Sequence, residues 1–241
     1  VDLSREQRES LRDQLVPLLR WHREEELARY QLLLDDAERA LQQPVTAAQV
    51  ENWIAELMQA ISRIEETMLD LALDFGAGIS DAQMQEFIQS VHREQDEYED
   101  EFLSRTQEEY VRENAENLEG TLERLTGRLS REQKQRLWQA AESMQRFDSI
   151  WLDERRQWLA QLEGLLQREE GWQSAVREAY LARELNRPAE YTQIVDHNIA
   201  VIAAALADVL NSRTDKQKIR TTHEFEDMRD SISKLMQHTT D

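Results

Sequence analysis

Five times the chain repeats one short pattern: a residue that is usually apolar, then Ser or Thr, then two more residues and a Gln. The copies are Leu3-Ser4-Arg5-Glu6-Gln7, Val45-Thr46-Ala47-Ala48-Gln49, Ile79-Ser80-Asp81-Ala82-Gln83 and Leu129-Ser130-Arg131-Glu132-Gln133, with a weaker one at Arg213-Thr214-Asp215-Lys216-Gln217. This is the signature of a helix start. The hydroxyl accepts from the backbone N–H three residues on, and the Gln side chain reaches back to the cap's own N–H. Each cap contributes about 1 kcal/mol. In two copies the preceding apolar residue can also staple to a partner inside the helix, Val45 to Val50 and Ile79 to Met84. Only six Gly and three Pro occur among 241 residues, so turns are few and elements long. No stretch alternates β-branched or aromatic residues as a strand would. The expected fold is all-α: an elongated bundle of about six helices, mostly antiparallel, with long coiled-coil-like segments. It reads as one elongated domain over 1–241, with 127–130 as the place for a subdivision.

The first helix is expected from Ser4 to Leu41, kinked or divided at Pro17 because the ring clashes with the carbonyl four residues back. The second runs from Thr46 to Phe75. Its seam of Val50, Ile54, Leu57, Ile61, Ile64, Met68, Leu71 and Phe75 alternates steps of four and three like a coiled-coil heptad. The third would span Ser80 to Thr126 and reach about 70 Å. Its middle, 104–117, is nearly all polar, so the helix either breaks there or lies exposed. The fourth begins at Ser130, reaches Leu166 and can continue toward Asn186. The fifth, Ala189 to Leu210, should be the most buried, and the sixth covers Thr214 to Gln237.

The formal net charge is −20. Such a chain repels nucleic acid and anionic lipid; its electrostatic partner would be a basic protein or peptide. There is no Cys, which removes disulfides and thiol chemistry. No window approaches eighteen consecutive apolar residues, so no spanning segment is expected.

No constellation points to catalysis, a cofactor or a metal. None of the five His follows a Glu by three residues, as a carboxylate-bridged metal bundle needs. His22 with Glu26, His92 with Asp96 and His223 with Asp227 have the four-residue spacing that shares a helix face, but such pairs arise easily among 49 acids. The acidic run Glu94–Glu101 lacks the Gly and ligand spacing of a calcium loop and reads as a solvated face. Two sets of polar and aromatic residues stand out. One is Trp21, His22, Arg23, Glu26 and Tyr30 on the first helix. The other is Asp148, Trp151, Arg155 and Trp158 on the fourth, where two charges fall on an apolar stripe. A buried charge needs a partner, so Asp148 or Arg155 should pair with another helix, or Arg155 stack on a Trp.

These blocks carry a resemblance. The start Val1-Asp2-Leu3-Ser4 with Gln7, the block Trp21-His22-Arg23 with Glu26-Leu27 and Tyr30, and the later Leu129-Ser130, Gln133, Trp151, Arg155 and Trp158 resemble uncharacterised proteobacterial lipoproteins known only as a domain of unknown function. The chain departs at Ala28, where that family usually has Pro. The resemblance implies a periplasmic body joined to a Gram-negative membrane through a lipid-modified Cys upstream of Val1, a segment absent from this chain. The function expected is a non-enzymatic protein-interaction module. The alternative is a periplasmic chaperone or steric foldase: lipase foldases carry a Phe-Asp-Tyr signature, where this chain reads Phe147-Asp148-Ser149.

Overall fold

A computed structural model describes residues 2–237; Val1, which opens the Val-Asp-Leu-Ser start, lies outside the described residues. The described chain is helical throughout and without strands: α1 (Arg5–Trp21), α2 (Leu27–Ala40), α3 (Ala47–Ala77), α4 (Asp81–Ser104), α5 (Gln107–Thr126), α6 (Arg131–Ser143), α7 (Asp148–Leu165), α8 (Trp172–Leu185), α9 (Ala189–Asn211) and α10 (Asp215–Gln237). A π-helical turn, His22–Glu26, joins α1 to α2 without interruption. The described residues therefore hold nine continuous helices where about six are expected.

The difference has local causes. The third expected helix breaks at Arg105, and Thr106 opens α5 with a capping box closed by Glu109. The polar stretch thus contains a helix start of the same kind as the others, with Glu in place of Gln. The fourth expected helix divides into α6, α7 and α8. Between α6 and α7 Met144 is extended, and the backbone of Gln145 is held by Asn198, whose side chain accepts from Gln145 N at 2.8 Å and donates to its carbonyl at 2.9 Å. Tyr110 also donates to that carbonyl. Before α8, Gly171 takes a left-handed conformation, φ 82°. Pro17 stays inside α1; the regular ladder changes at His22 instead.

All five expected caps carry their reciprocal bonds. Their glutamines do more than cap. Gln7 and Gln83 exchange hydrogen bonds between the starts of α1 and α4, and Gln133 and Gln217 do so between α6 and α10. The second pair is buried, and Gln133 also donates to Ser212. Gln133→Leu is therefore expected to cost about 1–3 kcal/mol, the range for orphaning buried polar partners. Gln7→Leu, at a more exposed pair, should cost less. Urea unfolding of both variants checks this, and equal losses would contradict it.

The chain divides into two compact units. The first comprises Val1–Leu15, Glu65–Arg105 and Arg146–Val195, the second Val16–Ile64, Thr106–Gln145 and Asp196–Asp241. In the first, α4 packs on α7 and α7 on α8, around Leu73, Met84, Ile88, Leu166 and Val176. In the second, α5 packs on α6, and α10 on α2 and α5. Its main core gathers Leu122, Leu137, Ala203 and Val209; a smaller cluster holds Tyr110, Val111, Ala115 and Ala141. By length and hydropathy α9 alone among the described helices would cross a membrane. Here its Ala203, Ala205, Ala207, Val209 and Leu210 are buried in the second unit's core, where small side chains let neighbouring helices approach closely.

Candidate functional site

In the second unit, the Trp-His-Arg block coincides with the π-helical turn. Leu27 N–H bonds to the carbonyl of His22, five residues back. Such a turn adds a residue to the helical register and re-aims the side chains that follow it, a distortion frequent at functional sites. Here it turns Glu26 inward until none of it is exposed. Arg63 of α3 grips both oxygens, Nε to Oε1 at 2.7 Å and Nη2 to Oε2 at 2.8 Å. Arg29 adds a bond to Oε1 at 2.8 Å. The Arg63 hydrogen bonds hold the Glu26 carboxyl below the ordinary carboxylate range. Burial opposes them, and the charges of Arg63, Arg29 and His22 reinforce them. Two guanidiniums thus engage the carboxylate through three hydrogen bonds and fasten the π-helical turn to α3.

Tyr30, one turn on, is where the block meets open space. The His22 ring stands edge-on to it, centroids 5.7 Å apart. Burial, aided by the Glu26 charge, raises its phenol above the usual range. Trp21 and Arg23 are half-buried beside the turn. Tyr30 lines one part of a groove of about 510 Å³ formed with α2, α3 and α10. Leu33, Leu34, Leu57, Met228 and Ile232 give it apolar walls, and Glu224 and Asp227 are its only charged residues. Beside it Leu57 is 53% exposed, Met58 47% and Ile61 57%. Leu57 and Ile61 are heptad residues of α3, left uncovered in the second unit. The groove is held open by fixed fasteners. Arg229 of α10 pairs with Asp35 and Glu38 of α2, Gln31 donates to Ser233, and the Trp53 indole donates to Asp36.

In the first unit the fourth-helix residues fall into two places. Asp148, the first residue of α7, is buried and receives Arg105 at 2.7 Å and Arg146 at 2.8 Å. Arg146 also donates to the carbonyls of Phe102 and Arg105. Arg155 bonds to Glu94 at 2.8 Å, and its guanidinium lies 5.0 Å over the ring of Tyr98 rather than over a Trp. Trp151 packs with Tyr98 and Phe102. Two of the six acids of the acidic run are correspondingly engaged, Glu94 on Arg155 and Glu99 on Arg156. Trp158 stands apart from these, against Tyr180 and Arg183. His92 faces Glu163 and His223 faces Glu226, so neither meets the acid four residues along its own helix.

Sequence reasoning missed Arg63, Arg105, Arg146 and the α10 wall of the groove. Arg63 left a signal: it is the only basic residue in the 31 of α3, next to the seam residue Ile64. The α10 wall left none, since its apolar residues read as an ordinary core stripe.

One family model matches the chain over residues 1–192, that of a family of unknown function, DUF6279. No curated protein matches, and no solved structure does.

Proposed function

We propose that this chain, which belongs to the DUF6279 family of unknown function, is a non-enzymatic binding module that takes a basic amphipathic helix of a partner protein into the groove of its second unit. The observation that carries this reading is the exposure of Leu57 and Ile61 of α3 at a groove with apolar walls and acidic side chains. Contiguous exposed apolar surface marks an interaction site. A groove between helices accepts an amphipathic helix through anchors spaced i, i+3, i+4 and i+7. Asp227 selects against an acidic partner, including a second copy of this chain, and favours Lys or Arg on the incoming helix; Glu224 already pairs with Arg220 of its own helix. The setting we propose is the periplasm of a Gram-negative bacterium, with the chain as the body of a lipoprotein; the Trp-His-Arg block and its lipoprotein resemblance support that part. The foldase alternative draws less support, because Asp148 of the Phe-Asp pair is engaged by two arginines.

The test is a fluorescein-labelled helical peptide with Leu at the anchor positions and Lys elsewhere, followed by anisotropy. Saturable binding at low salt is expected, weakening as salt screens the acids. The double variant Leu57→Glu, Ile61→Glu should lose at least about tenfold in affinity with an unchanged melting temperature, since both side chains already face water. No binding at low salt would end this reading. So would a dimeric protein that the same double variant makes monomeric, because the groove would then be a self-interface. Acyl labelling and fractionation of the full gene product test the envelope assignment separately.

A further inference from the structure

The first unit contains a second, different opening: a cavity of about 410 Å³ among α3, α4, α7 and α8. Leu69, Leu73, Met84, Leu162, Trp158 and Trp172 line it, and every other lining residue is Leu, Ile, Val, Ala, Phe or Gly. Protein interiors pack nearly as densely as organic crystals and hold few voids larger than a water molecule. An engineered apolar cavity of about 150 Å³ already stays dry and binds benzene. The present one falls within the range of small-molecule sites, about 300–1,000 Å³.

Gly76 helps keep the space. Its backbone is not left-handed, so conformation does not demand a glycine there. A Cβ would stand 3.3 Å from the Trp172 ring and 3.7 Å from Met84, and any larger side chain would grow toward the cavity lining.

We infer that this cavity is a binding site for one long acyl chain. The lining decides the class of ligand. A peptide segment would bring a row of N–H and C=O groups into a wall whose only side-chain hydrogen-bonding groups are the two indole N–H donors of Trp158 and Trp172, and most of those groups would be left unpaired, which is unfavourable. An acyl chain has no polar group along its length and bends to fill an irregular apolar space. Its head group must stay outside, and the rim has a cation for it: Arg168 donates to the carbonyls of Gly76 and Ile79, both lining residues. Asp81, the carboxylate Arg168 now meets, is almost fully exposed and can yield to an anionic head. The site is independent of the groove, lies wholly in the first unit, and falls inside the stretch matched by the family model.

The two cavity tryptophans supply the readout. Dibromostearate is expected to quench tryptophan emission saturably, with one chain bound per protein, because bromine quenches only at contact. Stearate should relieve the quenching and butyrate should not. Trp158→Phe with Trp172→Phe should remove most of the quenching while calorimetry still shows stearate binding. Ala72→Phe, at an exposed lining position, should weaken stearate binding at least tenfold in a protein with unchanged circular dichroism. A parallel series with brominated lysophosphatidylcholine tells a free fatty acid from a phospholipid chain, and the tighter of the two names the source. Quenching that stearate does not relieve, or that survives loss of both tryptophans, overturns the inference in proteins that need no blocking substitution. Absence of quenching overturns it outright.

Discussion

Arg63→Leu is expected to lower stability by about 3 kcal/mol, because it leaves a buried carboxylate with a single arginine bond, that from Arg29. Glu26 has no exposed surface, and Arg63 supplies two of the three arginine bonds it receives. The paired change Glu26→Leu, Arg63→Leu should recover most of the loss, since two apolar residues of similar volume remove both the charge and the need to satisfy it. Urea unfolding of the three variants measures this, and a double variant as unstable as the single one would contradict it. The sign of the pH dependence follows from the depressed carboxyl of Glu26. A folded pKa below the unfolded one means the contribution is fully present above the unfolded value, about 4.3, and is lost as pH falls through the folded value. The stability gap between wild type and Arg63→Leu should therefore narrow on acidification below about pH 4. A gap independent of pH would mean that the two residues do not meet as a charged pair.

Asp148→Ala is expected to cost about 3 kcal/mol in the first unit. It removes the carboxylate that receives both Arg105 and Arg146, of which Arg105 is 15% exposed. The Arg146 guanidinium keeps its carbonyl partners at Phe102 and Arg105, so the loss should stay local. Hydrogen exchange should rise most where α4 ends and α7 begins. Asp148→Asn, which keeps an acceptor without the charge, should fall between wild type and alanine. A loss under about 1 kcal/mol for the alanine variant would place this pair with surface ion pairs instead.

The two predictions draw on residues read in opposite ways from the sequence. Asp148 was legible as a charge that needs a partner, because it falls on an apolar stripe. Its partners were not legible, since Arg105 sits at a helix break that the polar stretch 104–117 left open without fixing its place, and Arg146 sits on the link between α6 and α7. Glu26 was legible as part of a distinctive block, yet its burial depends on a π turn. No propensity marks that turn: the residues of His22–Glu26 are ordinary helix residues, and only docking against α3 selects the extra residue in the register. The heptad of α3 is only partly the face that packs: Val50 is buried, but Leu57, Ile61 and Met68 are exposed, while Ala60 and Leu73, off the seam, are buried. A pattern specifies which face is apolar, though, and not whether a neighbour covers it, and in the second unit Leu57 and Ile61 are left open.

The sequence by itself determined the all-helical class and the helix starts, because a capping box is complete within four residues and needs no tertiary partner. Three starts escaped it: Thr106 with Glu109, which follows the same local rule, and the starts of α7 and α8, which have no side-chain cap. Only the tertiary structure decided which glutamines pair across helices, which charges are buried, and where apolar surface is left as a groove or a cavity. Those outcomes depend on contacts between residues far apart in the chain, such as Arg63 with Glu26 and Trp172 with Gly76, and no local pattern encodes the distance between them.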